Sequence, residues 1–490
     1  MRAHLIRPAG DTGAIRLVAS KILLLAPLFL LALTFAFSGV ALAETHGAAP
    51  NGGGHEGGLL DLTRHPAGIA ALVVFLLAYA LVVVEEVIEM RKSKPVLLAA
   101  GLIWAFIGLA YSGTGKEELM ADVARHTLME YGELFLFLFV AITYVNSLEE
   151  RGVFNALREK LIAMNLSYRK LFWLTGFIAF FLSPLLDNLT TSLVLGAVVL
   201  AVGAKNPAFV ALACINVVVA ANAGGAYSPF GDITTLMVWQ KGKLEFWDFF
   251  AIFIPSLVNF VVPAAIMHFA VPDETPEPHE AEARMKNGAK VVMVLFALTI
   301  VTAVTFRNAF HLPPALGMML GLGYLAMFSY FFKHYAQRIR RTDILFDSFR
   351  VMERTEWDTM LFFFGIIFAV GGLGVIGYLE LLSRALYDGL GPTWANTIIG
   401  VISAIVDNIP IMFAVLTMNP LMSEGQWLLI TLTAGVGGSL LSVGSAAGVA
   451  LMGLARGKYT FFSHLKWSWA IALGYAASIL VHLVINADKF

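Results

Sequence analysis

The chain has 490 residues, of which 58% are hydrophobic and 14% charged, with 33 Lys+Arg against 34 Asp+Glu. Soluble domains carry about 25% charged residues, so an ordinary soluble globular protein is excluded, and a formal net charge of -1 offers no basic field for nucleic acid. The single Cys214, inside an apolar run, rules out an internal disulfide and a thiolate metal site.

The N-terminus reads as a targeting segment: Arg2, Arg7, Arg16 and Lys21 precede the apolar run from Ile22 to Phe37, and Ala41-Leu42-Ala43 fits an A-x-A cleavage pattern. Residues 1–43 are therefore expected to be a signal peptide and 44–66 a periplasmic linker, whose His46, His55 and His65 sit in a Gly-rich stretch that reads as solvated chain rather than a metal tract. Apolar runs such as Ala67 to Val84, Val96 to Ala110, Phe249 to Val271 and Trp467 to Ile485 approach or reach the roughly 17 to 25 residues that cross a bilayer as a helix. The chain is thus expected to be an all-α polytopic membrane protein.

Lys and Arg gather on the cytoplasmic side of short loops. Arg91, Lys92 and Lys94 place the end of the first mature span inside; a second span leads out, and a third, from about Glu133 to Leu148, returns to Arg151, Arg158, Lys160, Arg169 and Lys170. Leu171 to Gly203 is too short for two full crossings, yet Lys170 and Lys205 at its ends both read as inside. A re-entrant hairpin satisfies both facts, with its tip at Ser183 to Thr191. Such non-helical backbone at membrane depth is tolerated only where it is buried in protein or lines a water-filled cavity. The next span is broken at Asn222 to Asp232, Phe249 to Val271 returns, and residues 272–290, with Pro272, Pro276 and Pro278, read as a cytoplasmic linker.

The second half repeats this order. Spans at about Val291 to Phe306 and Ala315 to Phe332 lead to Lys333, Arg338, Arg340 and Arg341; a span from Asp358 to Tyr378 goes outward. Asp187-Asn188 then recurs as Asp407-Asn408, 220 positions later, and the Gly224 to Asp232 break recurs as Gly437 to Ser445, 213 positions later. Charge placement gives the two hairpins opposite orientations, so residues 67–271 and 291–490 are expected to be inverted-topology repeats, about ten spans plus two hairpins, with a ligand site at the midplane. Both mature termini would be periplasmic.

Asp187 and Asp407 are the strongest candidates, since an ionisable group in the membrane interior is costly and by default functional; each also suits an N-cap, and the roles are compatible. Asn188, Asn408, Asn222, Ser442, Ser445, Thr190, Thr191, Thr234 and Thr235 add neutral oxygens, and Asp232 a third carboxylate, with Ser445 opposite it in the repeat. Hard cations prefer oxygen ligands, so sodium is expected at Asp187, Asn188, Asp407 and Asn408. Glu133 and Asp358 head corresponding spans and are candidate proton-relay groups or interfacial residues. His126, spaced to share a face with Glu130 and Glu133, is a candidate pH sensor or an exposed edge residue. Gly372-Leu373-Gly374-Val375-Ile376-Gly377 fits G-x-G-x-x-G but lies in a span with no strand before it, which argues against a dinucleotide site. Gly317 and Gly321 read as helix-packing residues.

Ser183 to Thr191, Asn222 to Thr235 and Ser403 to Pro410 together resemble the NhaD-type sodium/proton antiporters of the ion transporter superfamily, over roughly Ala67 to Ile485. The resemblance implies an inner-membrane homodimer that exports sodium or lithium against protons, needs no cofactor, serves pH homeostasis, and uses Asp187, Asn188, Asn222, Asp232, Thr234, Thr235, Asp358, Asp407, Asn408, Ser442 and Ser445. The aspartates would bind sodium when ionised and release it when protonated, burial disfavouring their charged form. The superfamily also holds carriers of dicarboxylates, citrate and arsenite, often with Ser-Asn-Thr at the hairpin tips; Asp187-Asn188-Leu189-Thr190 and Asp407-Asn408-Ile409-Pro410 here argue against a carboxylate substrate. An oxyanion or dicarboxylate carrier is the alternative within transport, and an intramembrane aspartyl enzyme the alternative outside it.

Overall fold

A computed structural model of the chain describes residues 58–83, 85–88, 90–275, 284–338 and 346–490. The expected signal peptide, linker residues 44–57 with His46 and His55, and Pro276, Pro278, Arg340 and Arg341 lie outside the described residues. Among the described residues nine helices are long and apolar enough to cross a membrane: Ser93–Tyr111, Glu117–Glu150, Tyr168–Leu186, Pro207–Ala226, Asp248–His268, Ala289–Asn308, Pro314–Arg338, Trp357–Ile376 and Ser468–Ile485. The protein is an all-α polytopic membrane protein, as helices close their own backbone hydrogen bonds where lipid offers none. The apolar Pro66–Val83 precedes these helices.

Two helical pairs meet end to end, and three of their four arms are too short for a full crossing. Tyr168–Leu186 and Asn188–Val202, of 19 and 15 residues, meet at Asp187; Pro392–Ile402 and Asn408–Met418, of 11 residues each, meet across residues 403–407. At 1.5 Å per residue an 11-residue arm reaches about 16 Å, half the hydrocarbon thickness. Two other helices are broken: Pro207–Ala226 resumes as Ile233–Gln240, and Glu424–Gly437 resumes as Ala446–Ala455.

Two sequence expectations need correction. Glu133 does not head its helix, which begins at Glu117 and runs unbroken to Glu150, placing Glu133 in its middle. The polar stretch Glu117 to Glu130 continues the helix because it contains neither Gly nor Pro. Nor does the first break begin at Asn222, since helix persists through Ala226. Gly224 and Gly225 remain helical because they permit close packing: a Cβ on Gly224 would collide with the Phe180 carbonyl, and one on Gly225 would lie 2.7 Å from the Gly231 carbonyl.

The chain forms two compact units. Of the described residues, one unit comprises those up to Tyr131 with Trp357–Leu381, the other those within Gly132–Glu356 with Leu382–Phe490. In the first unit Ser93–Tyr111 packs against both Pro66–Val83 and Trp357–Ile376. A Cβ on Gly365 would stand 2.6 Å from Val96, and one on Gly372 2.5 Å from Ile103, so the first glycine of the G-x-G-x-x-G match serves helix contact. In the second unit Pro207–Ala226 is almost wholly buried, and Glu424–Gly437 is buried from Gly425 onward. Around them pack both hairpins, with Asn188–Val202 against Ala446–Ala455 and Asn408–Met418 against Ile233–Gln240. Ala289–Asn308 and Pro314–Arg338 form a pair in which Gly317 lies against the Ala303 backbone and Gly321 against Thr299.

Candidate functional site: a carboxylate-amide network at two helix breaks

Four helix beginnings converge in the second unit, each capped by a residue singled out in the sequence. Asp187 accepts from the Thr190 amide at 2.7 Å and the Thr190 hydroxyl at 2.9 Å; Asp407 accepts from the Ile409 amide at 3.4 Å. Asp232 accepts from the Thr234 amide at 3.2 Å and Ser445 from the Gly448 amide at 3.3 Å. These caps satisfy backbone donors that a helix start leaves open, which is why the breaks are stable in apolar surroundings. Asp187 takes a φ of +69°, a conformation uncommon for a residue with a Cβ and frequent at functional positions.

The caps are joined by side chains. Asn188 Nδ2 donates to Asn222 Oδ1 and to Asp232 Oδ2, both at 3.0 Å. Asn408 Nδ2 donates to the same Asp232 Oδ2, also at 3.0 Å. Asn222 Nδ2 donates to Ser439 Oγ at 2.8 Å and to Ser445 Oγ at 3.0 Å. Asp232 is therefore the hub, receiving one amide from each hairpin, and Asn222 ties the first hairpin to the second break. Asp187 and Asp407 both lie within electrostatic reach of Asp232, and Glu356 within reach of Asp187. Thr235 closes the first break on itself, donating at 2.7 Å to the carbonyls of Ser228 and Asp232. Thr191, Thr234 and Ser442 bury hydroxyl oxygens that have no protein partner.

Asp187, Asn188, Asn222, Asp232, Thr234, Thr235, Asp407, Asn408, Ser442 and Ser445 thus all line the hairpin tips and breaks of one unit. Asp358 and His126 belong to the other unit, where Asp358 accepts from Ser93 Oγ at 2.5 Å and His126 pairs with Glu130 at 3.0 Å. Sequence reasoning missed Ser439, Glu356 and His464. Ser439 lay within the Gly-rich break that drew attention, and Glu356 two positions before Asp358; His464 carried no signal. Among the described residues no three His, Cys, Asp or Glu side chains converge as metal ligands, so a cation here would meet a mixed set of carboxylate, amide and hydroxyl oxygens.

The two halves also share backbone contacts. Gly224 packs on the Phe180 carbonyl and Gly437 on the Gly400 carbonyl; a Cβ on Gly225 would lie 2.7 Å from the Gly231 carbonyl and one on Gly438 2.7 Å from the Gly444 carbonyl. Each pair of positions is related by the same separations as the sequence motifs, 213 in the broken helices and 220 in the hairpins.

The citrate transporter (CitMHS) family model matches residues 66–435. The chain is 52% identical to the Na(+)/H(+) antiporter NhaD of Vibrio cholerae, over 94% of this chain and 98% of that protein. The chain belongs to the NhaD group of the CitMHS family. It is 54% identical to the Na(+)/H(+) antiporter NhaD of Halomonas elongata, over 88% of this chain and 91% of that one, and 32% identical to sodium/proton antiporter 1 of Arabidopsis thaliana, over 86% and 73%. The family match covers both hairpins and the first broken helix and ends within Glu424–Gly437, ahead of Ser439 and Ser445.

Proposed function

We propose that the protein is a secondary antiporter exchanging sodium, or lithium, for protons across a bacterial inner membrane, with Asp232 at the centre of the exchange. The observation that carries this reading is that Asp232 Oδ2 accepts one amide from each hairpin, Asn188 and Asn408. An amide can present either its N–H or its oxygen. When Asp232 is ionised and a cation enters, Asn188 and Asn408 turn their oxygens to the metal, with Asp187 and Asp407 supplying further negative charge. Protonation removes that charge and returns the amides to donating. Sodium and protons then compete for the same carboxylates, and alternating exposure of the site drives them in opposite directions. Thr191, Thr234 and Ser442, whose buried hydroxyls have no protein partner, are further oxygens for the ion or its water.

The matching glycine contacts support inverted repeats of residues 67–271 and 291–490, and the placement of Lys and Arg supports periplasmic termini and a cleaved residue 1–43 segment. A homodimer follows the resemblance. The family's description as citrate transporters favours the carboxylate-carrier alternative, yet the hairpin tips and breaks contain three aspartates and no Lys or Arg, a poor match to an anion.

The test is dissipation of a proton gradient in everted vesicles from cells lacking their own antiporters, with sodium, lithium or potassium added at several pH values. Sodium- or lithium-dependent collapse that an inserted Asp232→Asn variant lacks is the expected result. No response to any cation, together with uptake of labelled citrate, would overturn it.

A further inference from the structure

Each break closes one carbonyl on itself: Ser228 accepts from the Gly231 amide, and Leu441 from the Gly444 amide 213 positions on. In the first break the Ser228 carbonyl also accepts from Thr235, in the first turn of the resumed helix. In the second, two successive carbonyls are met from the far end of the chain. His464 Nε2 lies 2.8 Å from the Ser439 carbonyl, and Ser468 Oγ donates to the Leu440 carbonyl at 2.7 Å. His464 sits in the short helix Phe461–Leu465, held by a capping box between Thr460 and Ser463, and is fully buried.

A carbonyl can only accept, so Nε2 of His464 carries a proton, and its Nδ1 receives the Tyr459 hydroxyl at 2.7 Å. Both ring nitrogens are thereby committed. Ser439, the residue His464 holds by its backbone, is the same one whose Oγ receives Asn222, and Asn222 in turn receives Asn188, which donates to Asp232. Tyr459, His464, Ser439, Asn222, Asn188 and Asp232 form an unbroken series from the C-terminal elbow to the hub carboxylate.

We propose that His464 is a positioning residue for cation binding: by pinning the Ser439 carbonyl it fixes the unwound segment of the second broken helix, and so the hydroxyl that orients Asn222. This rests on the reading of Asp232 as the exchange site. Without the Nε2–H donor the Ser439 carbonyl is left unpaired in a buried place, and the segment relaxes toward other donors.

The experiment measures initial exchange rate against sodium concentration at fixed pH in everted vesicles, for the unaltered chain and for inserted His464→Leu, His464→Gln, Tyr459→Phe and Asp232→Asn. His464→Leu should raise the apparent sodium KM about tenfold while the maximal rate stays within about twofold. Glutamine places an N–H near the position of Nε2, so His464→Gln should recover most of the loss. An unchanged KM in His464→Leu, or equal impairment in His464→Gln, overturns the inference and leaves His464 as packing. If His464→Leu does not insert, Tyr459→Phe decides: a KM raised about threefold supports the inference, an unchanged one overturns it. Normal exchange in Asp232→Asn would instead remove the site reading itself, whatever the His464 variants do.

Discussion

Asp187 holds two roles in one carboxylate. It caps the second arm of the first hairpin through Thr190, and it lies within electrostatic reach of Asp232, where the proposed exchange would use its charge. Asparagine separates the two, since it caps nearly as well as aspartate and tolerates a positive φ but carries no charge. Asp187→Asn is therefore expected to keep its melting temperature in detergent, with a change of less than about 1 kcal/mol. Its sodium-dependent exchange should fall by about a hundredfold or more, as expected for losing a charge worth about 3 kcal/mol to a bound cation. Retained exchange would leave Asp187 as a cap alone. At the hub, Asn222 makes three side-chain bonds that link the first hairpin to both Ser439 and Ser445 of the second break. Asn222→Ala strands those partners in a buried site, at a cost of about 1 to 3 kcal/mol, so a lowered melting temperature should accompany its loss of exchange.

The broken helices depend on glycine for contact rather than for flexibility. Gly224 and Gly437 lie inside helices, yet each brings a hairpin carbonyl, Phe180 or Gly400, within a distance no Cβ would allow. Gly323 and Gly453 are also helical, but a Cβ on either would meet nothing within 4 Å. Gly224→Ala and Gly437→Ala should each destabilise the solubilised protein by about 1 to 3 kcal/mol through overpacking. Gly323→Ala and Gly453→Ala should stabilise it by up to about 1 kcal/mol, alanine being the better helix former. Thermal melting of the four variants side by side checks this, and equal behaviour of the two pairs would show that the close approaches are not needed.

For the whole molecule the testable statement is orientation. Cys214 is buried, so background labelling by a membrane-impermeant maleimide should be low. Asp488 and Arg456 are exposed, and the proposed orientation, from the placement of Lys and Arg, predicts the first outside and the second inside. In intact cells with the outer membrane permeabilised, Asp488→Cys should label and Arg456→Cys should not; everted vesicles should reverse the pattern. Labelling of both from one side would sink the inverted-repeat assignment.

Much of the site was legible because polar residues in apolar surroundings are conspicuous. Asp187, Asn188, Asn222, Asp232, Asp407 and Asn408 interrupt hydrophobic runs, and no lipid-facing helix keeps such residues without a use. Glycine was harder to read: Gly224 and Gly225 look like helix breakers along the chain, but Gly224 answers the Phe180 carbonyl on another helix. Polar residues near span ends gave no signal either way, because solvated loops carry them routinely. Glu356 and His464 escape notice for that reason, while Asp358 and His126, open between a functional and an interfacial role in the sequence, lie in the other unit.

By itself the sequence determined the membrane class, the two hairpins, the two breaks and the identities of the acidic caps, all of which follow from hydropathy and from the cost of unpaired polar groups. Only the tertiary structure decided that Asp232 is the residue both hairpins address and that the C-terminal elbow reaches the second break. Those relations join positions 176 residues apart for Asn408 with Asp232, 44 for Asn188 with Asp232 and 25 for His464 with Ser439, and hydrogen bonds across helices leave no periodic trace along the chain.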